Sequence, residues 1–509
     1  MFAIDGLTLT GGRSGTGGAV VMPSAESTLR VTNTTFATNA ASNSGGAVYA
    51  LGSTEFDHVA FTGNTAKTGG AVYSLDAATF ADVTFTGNSS TEAAGAVYQG
   101  NGASYTRTTF IDNDAVIAGG AIVAFGVTTI SNSKFSGNTS VLVGGGAIAA
   151  SDAVVVADSE FTKNLSHANG GAIYAGGPAS IARSRFTENA VDGIGGAVYA
   201  EGATTVVDSM FGDNSSVNDG AALTVHEALA ITGSTIMNNT SVNGEGAFWA
   251  DGVATVVNST ITGNVGGALA STISANDLIL SYSSVTEVSV ADGQMALVAR
   301  SNRLSMFASV ITGADGLSGG ALCNVAATSF GYNFASDSTC GLTSTGDTQD
   351  AAPSSAQLGA LLDNGGLTLT QLPLITSPLV GAIPDGACTT GPAAAVTADQ
   401  RGFARPNIVS GTCDIGALQL TPMVSATVTG STIVIGIREF TSTATVTIHS
   451  DPVVLGTIAV DATGSGQATF ALPGSVMCGA HEIIATASGG QIASMLIEIG
   501  DCAVPIFTG

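Results

Sequence analysis

The stretch FTGNTAKTGGAVYS, residues 61–74, contains a pattern that repeats through about half of the chain. An apolar residue is followed three positions later by asparagine, and a few polar residues then lead to two glycines and a short apolar run. The asparagines recur every 24 to 26 residues, at Asn39, Asn64, Asn88, Asn113, Asn138, Asn164, Asn189, Asn214, Asn239 and Asn264. The apolar residues before them are Phe36, Phe61, Phe85, Phe110, Phe135, Phe161, Phe186, Phe211, Ile236 and Ile261. So regular a period indicates a solenoid.

The residues within one repeat indicate which solenoid it is. Runs such as GGAVYA and TTVVDSMF are rich in residues that favour strands, and no window has an apolar stripe at helical spacing. The sequence therefore predicts an all-β fold, a right-handed parallel β-helix with about 25 residues per coil and coils about 4.8 Å apart. We expect the phenylalanines to stack inside the shaft, and the asparagines to form a ladder of amide hydrogen bonds. Two weaker coils are expected at Val285 and Val310.

Charge and hydropathy exclude several classes of partner. The 38 acidic and 13 basic residues give a formal net charge of −25, so nucleic acids and anionic membranes are poor partners. No apolar run is long enough for a membrane-spanning helix. The first residues, MFAIDGLTLTGG, lack the features of a signal peptide and resemble the middle of a repeat. We therefore expect the sequence to be a piece of a longer protein.

Six cysteines lie in the last part of the chain, at Cys323, Cys340, Cys388, Cys413, Cys478 and Cys502. An even count without metal-ligand spacing favours disulfides and an oxidising, extracytoplasmic location. Pairing in sequence order, 323 with 340, 388 with 413 and 478 with 502, is the simplest arrangement. Free buried thiols remain the alternative.

Beyond residue 330 a series of motifs resembles a known family. GYN at 331–333, DNGGLTLT at 363–370, DQRGFARP at 399–406 and CDIGALQL at 413–420 resemble the choice-of-anchor Q domain. The repeats themselves, with GGA[ILV] and FxxN, are similar to those of polymorphic outer-membrane proteins. The resemblance implies a secreted or surface-displayed bacterial protein, with β-helix repeats over 1–330 and an anchor-Q-like cap over 331–420. The chain departs from the family pattern at Asp385 and Gln419.

The cap motif contains charged residues that could pair. Its members are Asp399, Gln400, Arg401, Gly402, Arg405 and Asp414. We expect the two arginines and two aspartates to form an ion-pair cluster that caps the last coil and shields its open edges. A carboxylate-binding site at the arginines is the alternative. Residues 421–509 read as alternating strands separated by turns, which predicts a small Ig-like β-sandwich.

Catalysis would need a constellation that the sequence does not display. Lyases of acidic polysaccharides need an acidic Ca²⁺ site with Arg or Lys, and glycosidases need two carboxylates at a set distance. Asp82, Asp158 and Asp208 recur three residues before the ladder Phe, where turn formation is favoured over a metal or catalytic row. Glu188 and Asp213 on adjacent coils could approach each other, as could many acidic pairs on such a shaft.

The sequence therefore predicts a non-catalytic structural or adhesion protein, without a metal or cofactor, at the cell surface or secreted. Its partner is expected to be a glycan or a protein on a host or neighbouring cell. The alternative is a polysaccharide lyase or glycoside hydrolase with the pectin-lyase-like β-helix fold.

Overall fold

A computed structural model describes residues 1–267, 271–289, 294–314, 320–389, 391–393, 395–407, 411–449, 453–473, 476, 479–488 and 491–499. Three parallel sheets run along a β-solenoid, and each coil contributes two strands to sheet 1, one to sheet 2 and, in most coils, one to sheet 3. Neighbouring coils pair in register, so equivalent residues lie directly above one another.

Sheet 1 contains 24 strands. The first strands of its coils are Val20–Met22, Val48–Ala50, Val72–Ser74, Val97–Gln99, Ile122–Ala124, Ile148–Ala150, Ile173–Ala175, Val198–Ala200, Leu223–Val225 and Ala321–Cys323. The second strands are Phe2–Asp5, Leu29–Thr32, Thr54–Asp57, Ala78–Ala81, Ala103–Thr106, Thr128–Ser131, Val154–Ala157, Ala179–Ala182, Thr204–Val207, Leu229–Thr232 and Thr328–Ser329. In three coils the first and second strands are continuous and form the long strands Phe248–Val257, Ile273–Ser281 and Met295–Phe307.

Sheets 2 and 3 close the coil. Sheet 2 consists of Thr8–Thr10, Thr35–Ala37, Ala60–Thr62, Thr84–Thr86, Thr109–Ile111, Lys134–Ser136, Glu160–Thr162, Arg185–Thr187, Met210–Gly212, Thr235–Met237, Thr260–Thr262, Ser284–Val288, Val310–Gly313 and Phe334–Ala335. Sheet 3 consists of Arg13–Thr16, Ala40–Ser44, Thr65–Thr68, Ser89–Ala93, Asp114–Ala115, Thr139–Ser140, Leu165–Ser166, Ala190–Val191, Ser215–Ser216 and Thr240–Ser241.

The ladder phenylalanines form one continuous internal stack. Phe36 to Phe211 are fully buried, and successive ring centroids lie 4.6–4.8 Å apart. Val285 continues the row, but its partner in the next coil is Ile311 rather than the predicted Val310. The 25-residue spacing from Val285 pointed to Val310 because Val310 is also apolar. In the structure Val310 faces outward beneath the cap, where the Cα hydrogens of Gly416 approach its side chain.

The paired glycines are required by close contacts between coils. Gly170 has a φ of +66°, and a Cβ on Gly171 would lie 2.0 Å from the carbonyl oxygen of Gly196 in the next coil. The first glycine therefore supplies a left-handed turn, and the second allows one backbone to touch another. A side chain at the second position would force the coils apart.

The end of the shaft passes into the cap. Cys340 and Leu342 are buried in the shaft core, and Cys340 is disulfide-bonded to Cys323. The 3-10 helix Pro353–Ala356 and the antiparallel strands Leu358–Leu362 and Thr370–Pro373 follow. A second disulfide joins Cys388 to Cys413. These two pairings confirm the first two disulfides predicted from the sequence, whereas Cys478 and Cys502 lie outside the described residues.

The C-terminal part forms two antiparallel sheets around a shared core. One sheet contains Met423–Thr429, Thr432–Arg438 and Gly466–Ala471, and the other contains Val453–Ile458, Ala444–His449, Gly479–Ala487 and Ile492–Ile499. Inward residues such as Ile435, Val446 and Ile483 are fully buried between them. Over the described ranges of the chain, no helix has the length and apolarity needed to cross a bilayer.

Candidate binding face

The ten asparagines lie inside the shaft and bind one another. Asn164 Nδ2 donates to Phe135 O at 3.1 Å and to Asn189 Oδ1 at 2.9 Å. Its Oδ1 accepts from the backbone N and the Nδ2 of Asn138 at 3.1 and 2.9 Å. Every ladder asparagine is at most 1% exposed. These residues hold coils together and none of them can meet a ligand.

A second ladder of hydroxyls runs beside the asparagines and was not predicted. The backbone N of Ser159, for example, donates to Ser184 Oγ at 3.1 Å. Its members are Thr108, Ser133, Ser159, Ser184, Ser209, Ser234 and Ser259. The signal was a small hydroxyl residue two positions before the ladder Phe or Ile. It directly follows the turn residue, which is Asp or Asn in four of the seven coils.

The recurrent aspartates occupy turns. Asp82, Asp158 and Asp208 have φ between +49° and +53°, a conformation that Asn and Asp tolerate well. Arg183 donates to both carboxylate oxygens of Asp158 at 2.7 Å, and this bonding lowers the pKa of Asp158. Of the other two acidic candidates, Glu188 is paired with Lys163 at 3.5 Å, and Asp213 lies in a turn with a φ of +56°.

One acidic cluster has the composition of a metal site. The side-chain ligand atoms of Asp57, His58 and Asp82 lie within 4.8 Å of one another. Both carboxylate oxygens of Asp82, however, accept hydrogen bonds from Arg107 at 2.7–2.8 Å. One of the two carboxylates in the cluster is therefore already paired with a guanidinium.

The cap motif is divided between two structural roles. Asp399 and Arg401 form a buried ion pair at 3.1 Å, and Arg401 also binds Glu439 of the C-terminal sheets at 2.5 Å. Gln400 binds sheet 2 of the shaft: its Nε2 donates to Thr235 Oγ1 at 2.9 Å, and its Oε1 accepts from Thr260 Oγ1 at 2.7 Å. The motif thus lies along the side of the shaft, and Glu439 completes it from a distant part of the sequence.

The expected pairing of Arg405 with carboxylates was wrong. Arg405 is buried, and it donates to the backbone carbonyls of Asp414 and Gly416 at 2.8 and 2.7 Å. Its guanidinium lies 4.1 Å from the ring centroid of Tyr282. The carboxylate of Asp414 is occupied elsewhere, because it accepts from the backbone N of Gly381 and Leu420. Gly402 has a φ of +92° in the turn between the two arginines.

An uncharged, partly aromatic file follows the outer surface of sheet 1. It consists of the central residues of the first strands, whose neighbours on either side point inward. In register along the shaft these are Val21, Tyr49, Tyr73, Tyr98, Val123, Ala149, Tyr174, Tyr199, Thr224, Trp249, Ser274 and Val298. Six of these twelve positions are aromatic. We call this row the outer aromatic file.

Most rings of the file stack along the shaft, and all six are partly exposed except Tyr199, which is buried. Ring centroids of Tyr49, Tyr73 and Tyr98 are 5.1 and 4.8 Å apart in succession, and those of Tyr174 and Tyr199 are 5.0 Å apart. Burial raises the pKa of Tyr73 and Tyr98, so their hydroxyls keep their protons. Apolar ring edges alternate with hydrogen-bonding groups, a surface suited to recognition.

Around Trp249, the single tryptophan of the chain, the file makes further contacts with a histidine and an arginine. The His226 ring lies between Tyr199 and Trp249, with centroid distances of 5.3 and 5.5 Å. His226 Nδ1 is 2.9 Å from Asp251 Oδ2, and Arg300 stacks 4.6 Å from the Trp249 centroid while also pairing with Asp251. Sequence reasoning missed this cluster because its members come from four different coils and the cluster as a whole does not repeat.

The same cluster is bordered by the carboxyl of Glu245, a residue that interrupts the repeat. Glu245 stands where the preceding coils have Gly170, Gly195 and Gly220. Its Oε2 is sealed from solvent and has no hydrogen-bond partner. Burial, and then the nearby charge of Asp219, raise the pKa of Glu245 to about 7. A carboxylic acid is therefore retained near neutral pH.

Comparisons with known proteins agree with this architecture. A family model described as the right handed beta helix region matches residues 119–285. A model of the Chlamydia polymorphic membrane protein repeat matches residues 58–75. No curated protein matches the chain. The predicted class is confirmed: the chain is all-β and contains a right-handed parallel β-helix whose repeats are similar to those of polymorphic membrane proteins.

Proposed function

We propose that this chain is a secreted or cell-surface adhesion protein whose shaft presents the outer aromatic file to a glycan or to a protein on another cell. Similarity to the polymorphic membrane protein repeat supports a surface location. The choice-of-anchor Q motifs and an Ig-like class for the C-terminal sheets belong to the same proposal. In it, the cap and the C-terminal sheets hold the shaft away from the envelope.

The observation that carries the proposal is the composition of the file. Stacking inside the shaft explains the phenylalanines and asparagines, but it requires no aromatic residue on the outer surface. Six partly or wholly buried aromatic rings lie in one outward row, and none of the twelve positions of this row carries a charge. Aromatic residues are enriched where proteins bind partners, because they combine a large apolar area with few rotatable bonds.

Trp249 is the only tryptophan in the chain, so its fluorescence reports on the file directly. We expect a surface polysaccharide or protein from a broad panel to change this fluorescence and to retain the protein on a coated surface. Tyr174→Ala should weaken retention, whereas Thr79→Ala should not, since Thr79 is an exposed residue on the other strand of sheet 1. Equal binding by both variants would contradict the proposal.

A carbohydrate-active enzyme is the second candidate, and the Glu245 carboxyl favours it. A carboxyl whose pKa is raised to about 7 beside the carboxylate of Asp219 is one element of a general-acid arrangement for glycoside cleavage, and because its Oε2 is sealed from solvent the corner would have to open to admit a substrate. If this candidate is right, the protein releases reducing ends from a polysaccharide, and Glu245→Gln lowers the rate by about a hundredfold. Absence of release across the same panel would exclude it.

A further inference from the structure

We infer that the part of the outer aromatic file between Tyr174 and Trp249 binds a cationic polysaccharide, one built from amino sugars whose amines are free and protonated. The inference rests on the proposed function, because it takes the file to be a binding face. It adds the chemical class of the partner and the carboxylate that receives the amine.

The acceptor for the amine is Glu201, at the corner where the Tyr199 strand ends. The hydroxyls of Tyr199 and Tyr174 both approach its Oε1, at 2.6 and 3.4 Å. Its Oε2 has no partner among the residues that the structure describes, and the side chain is exposed. A protonated amine carries three donors and no acceptor, so it matches a carboxylate oxygen that is held in place and free to accept.

The surroundings of Glu201 are acidic. Glu227 lies at the same corner one coil further on, where its Oε2 accepts from the backbone N of Ala203 at 3.2 Å. Asp219 lies on the opposite side of the file, next to the Glu245 carboxyl that keeps its proton. Arg300 touches the file, but it is already bonded to Asp251 and to Ala250 O. This charge pattern attracts a cation and repels an acidic glycan.

The form of the surface favours a polysaccharide over a basic peptide. A peptide often binds a β-protein by adding a strand to a free sheet edge. Around the file the strands of sheet 1 are hydrogen-bonded to coils on both sides, so no edge is offered there. What the face offers instead is repetition, with ring edges and hydroxyls at intervals of about one coil. A polymer of identical rings can meet such a surface in several registers.

The test is a titration of Trp249 fluorescence in the full chain with four soluble oligomers. These are a fully deacetylated glucosamine oligomer, its N-acetylated counterpart, an oligouronate, and an oligolysine of matched charge. We expect the deacetylated sugar to bind at least about tenfold more tightly than the acetylated one, because only its amine forms a charge-assisted bond. The Glu201→Gln substitution should raise the Kd for the deacetylated oligomer by roughly tenfold.

Asp152→Asn is the matched control, since Asp152 is an exposed acid at the same kind of corner but beside Ala149 instead of a tyrosine. It should change the Kd by less than about twofold. Equal losses of affinity in Glu201→Gln and Asp152→Asn would overturn the inference. Oligolysine binding as tightly as the deacetylated sugar would overturn it too. Equal affinity for the acetylated oligomer would also overturn it while leaving the binding face intact. If none of the four oligomers binds, the inference is wrong, and the broad panel alone then decides the proposed function.

Discussion

Each of the eight internal ladder asparagines, from Asn64 to Asn239, satisfies its whole hydrogen-bonding capacity inside the protein. Two donors and one oxygen that accepts twice match three groups: the neighbouring asparagines on either side and a phenylalanine carbonyl. Among the other side chains only glutamine has the same donors and acceptor, and it is longer. The position is therefore restricted by bonding as well as by volume.

Replacing Asn164 by Asp tests this restriction with almost no change of shape. The new oxygen cannot donate to Phe135 O or to Asn189 Oδ1, and it places like partial charges about 3 Å apart. We expect a loss of about 3 kcal/mol of unfolding free energy, measured as a lower Tm. Asn101→Asp is the control, because Asn101 is exposed and uses only its oxygen, toward the backbone N of Gly102. A similar Tm for both variants would contradict the role of the ladder.

Glu245 should make stability fall as pH rises. Its pKa is raised from 4.5 to about 7 in the folded protein, so the folded state binds the proton more tightly than the unfolded state. The stabilising effect is complete below about pH 4.5 and is lost as pH rises through about 7. We expect a lower Tm at pH 8 than at pH 5.5, and Glu245→Gln should narrow this difference. The exposed Glu26→Gln should leave it unchanged.

At the scale of the coil, the double glycine sets how closely neighbouring turns can stack. The second glycine touches the backbone of the next coil, so a methyl group there cannot be accommodated by rotating a side chain. Strand pairing in all three sheets depends on the same spacing. The double glycine at the corner thus sets the distance between neighbouring strands, and with it their hydrogen bonds, even where the strands themselves contain no glycine.

Gly171→Ala should be severely destabilising, by about 3 kcal/mol or more, because its Cβ would lie 2.0 Å from Gly196 O. The measurement is Tm, followed by circular dichroism at 25 °C to show whether the sheet signal survives. Gly15→Ala serves as the control, since nothing lies within 4 Å of the equivalent Cβ and the residue is exposed. Tolerance of both substitutions would show that the coils can separate locally.

The coil could be predicted from the sequence because its determinants repeat. Phe161 and Asn164 recur at one period, and period alone reveals stacking. The face around Trp249 could not be predicted in this way, because His226, Asp251 and Arg300 each occur once and meet only when four successive coils stack. Tyr174 and Tyr199 did recur, but which side of a three-residue strand faces outward depends on where the corner glycines turn the chain.

At the scale of the whole molecule, one buried ion-pair network joins the cap to the C-terminal sheets. Arg401 contacts Asp399 in the cap and Glu439 at the end of the strand Thr432–Arg438, and their side chains are at most 3% exposed. Glu439 Oε2 also accepts from the backbone N of Thr421, at the junction itself. The sequence placed Arg401 in an ion-pair cluster, but Glu439 lies 38 residues away and no motif marks it.

Arg401→Ala should lower the Tm of the cap and C-terminal sheets, since removal of one partner leaves buried carboxylates unpaired at a cost of about 3–5 kcal/mol. Arg438→Ala is a close control, because Arg438 is exposed and has no ion pair among the residues that the structure describes. The double variant Arg401→Ala/Glu439→Gln should recover part of the loss. An unchanged Tm for Arg401→Ala would show that the network adds nothing to stability.

The cap lies along the side of the shaft, and this placement determines how a tether would load the molecule. Gln400 bonds to two successive sheet-2 strands at Thr235 and Thr260, and Gln371 bonds to the next one at Thr286. A pull on the C-terminal sheets is transmitted through Arg401 to this seam, which runs parallel to the axis of the shaft. The force then acts in shear on several coils together instead of peeling the last coil away. A filament tethered at its C-terminal sheets, as we propose, would for this reason resist detachment by flow better than one held by its tip.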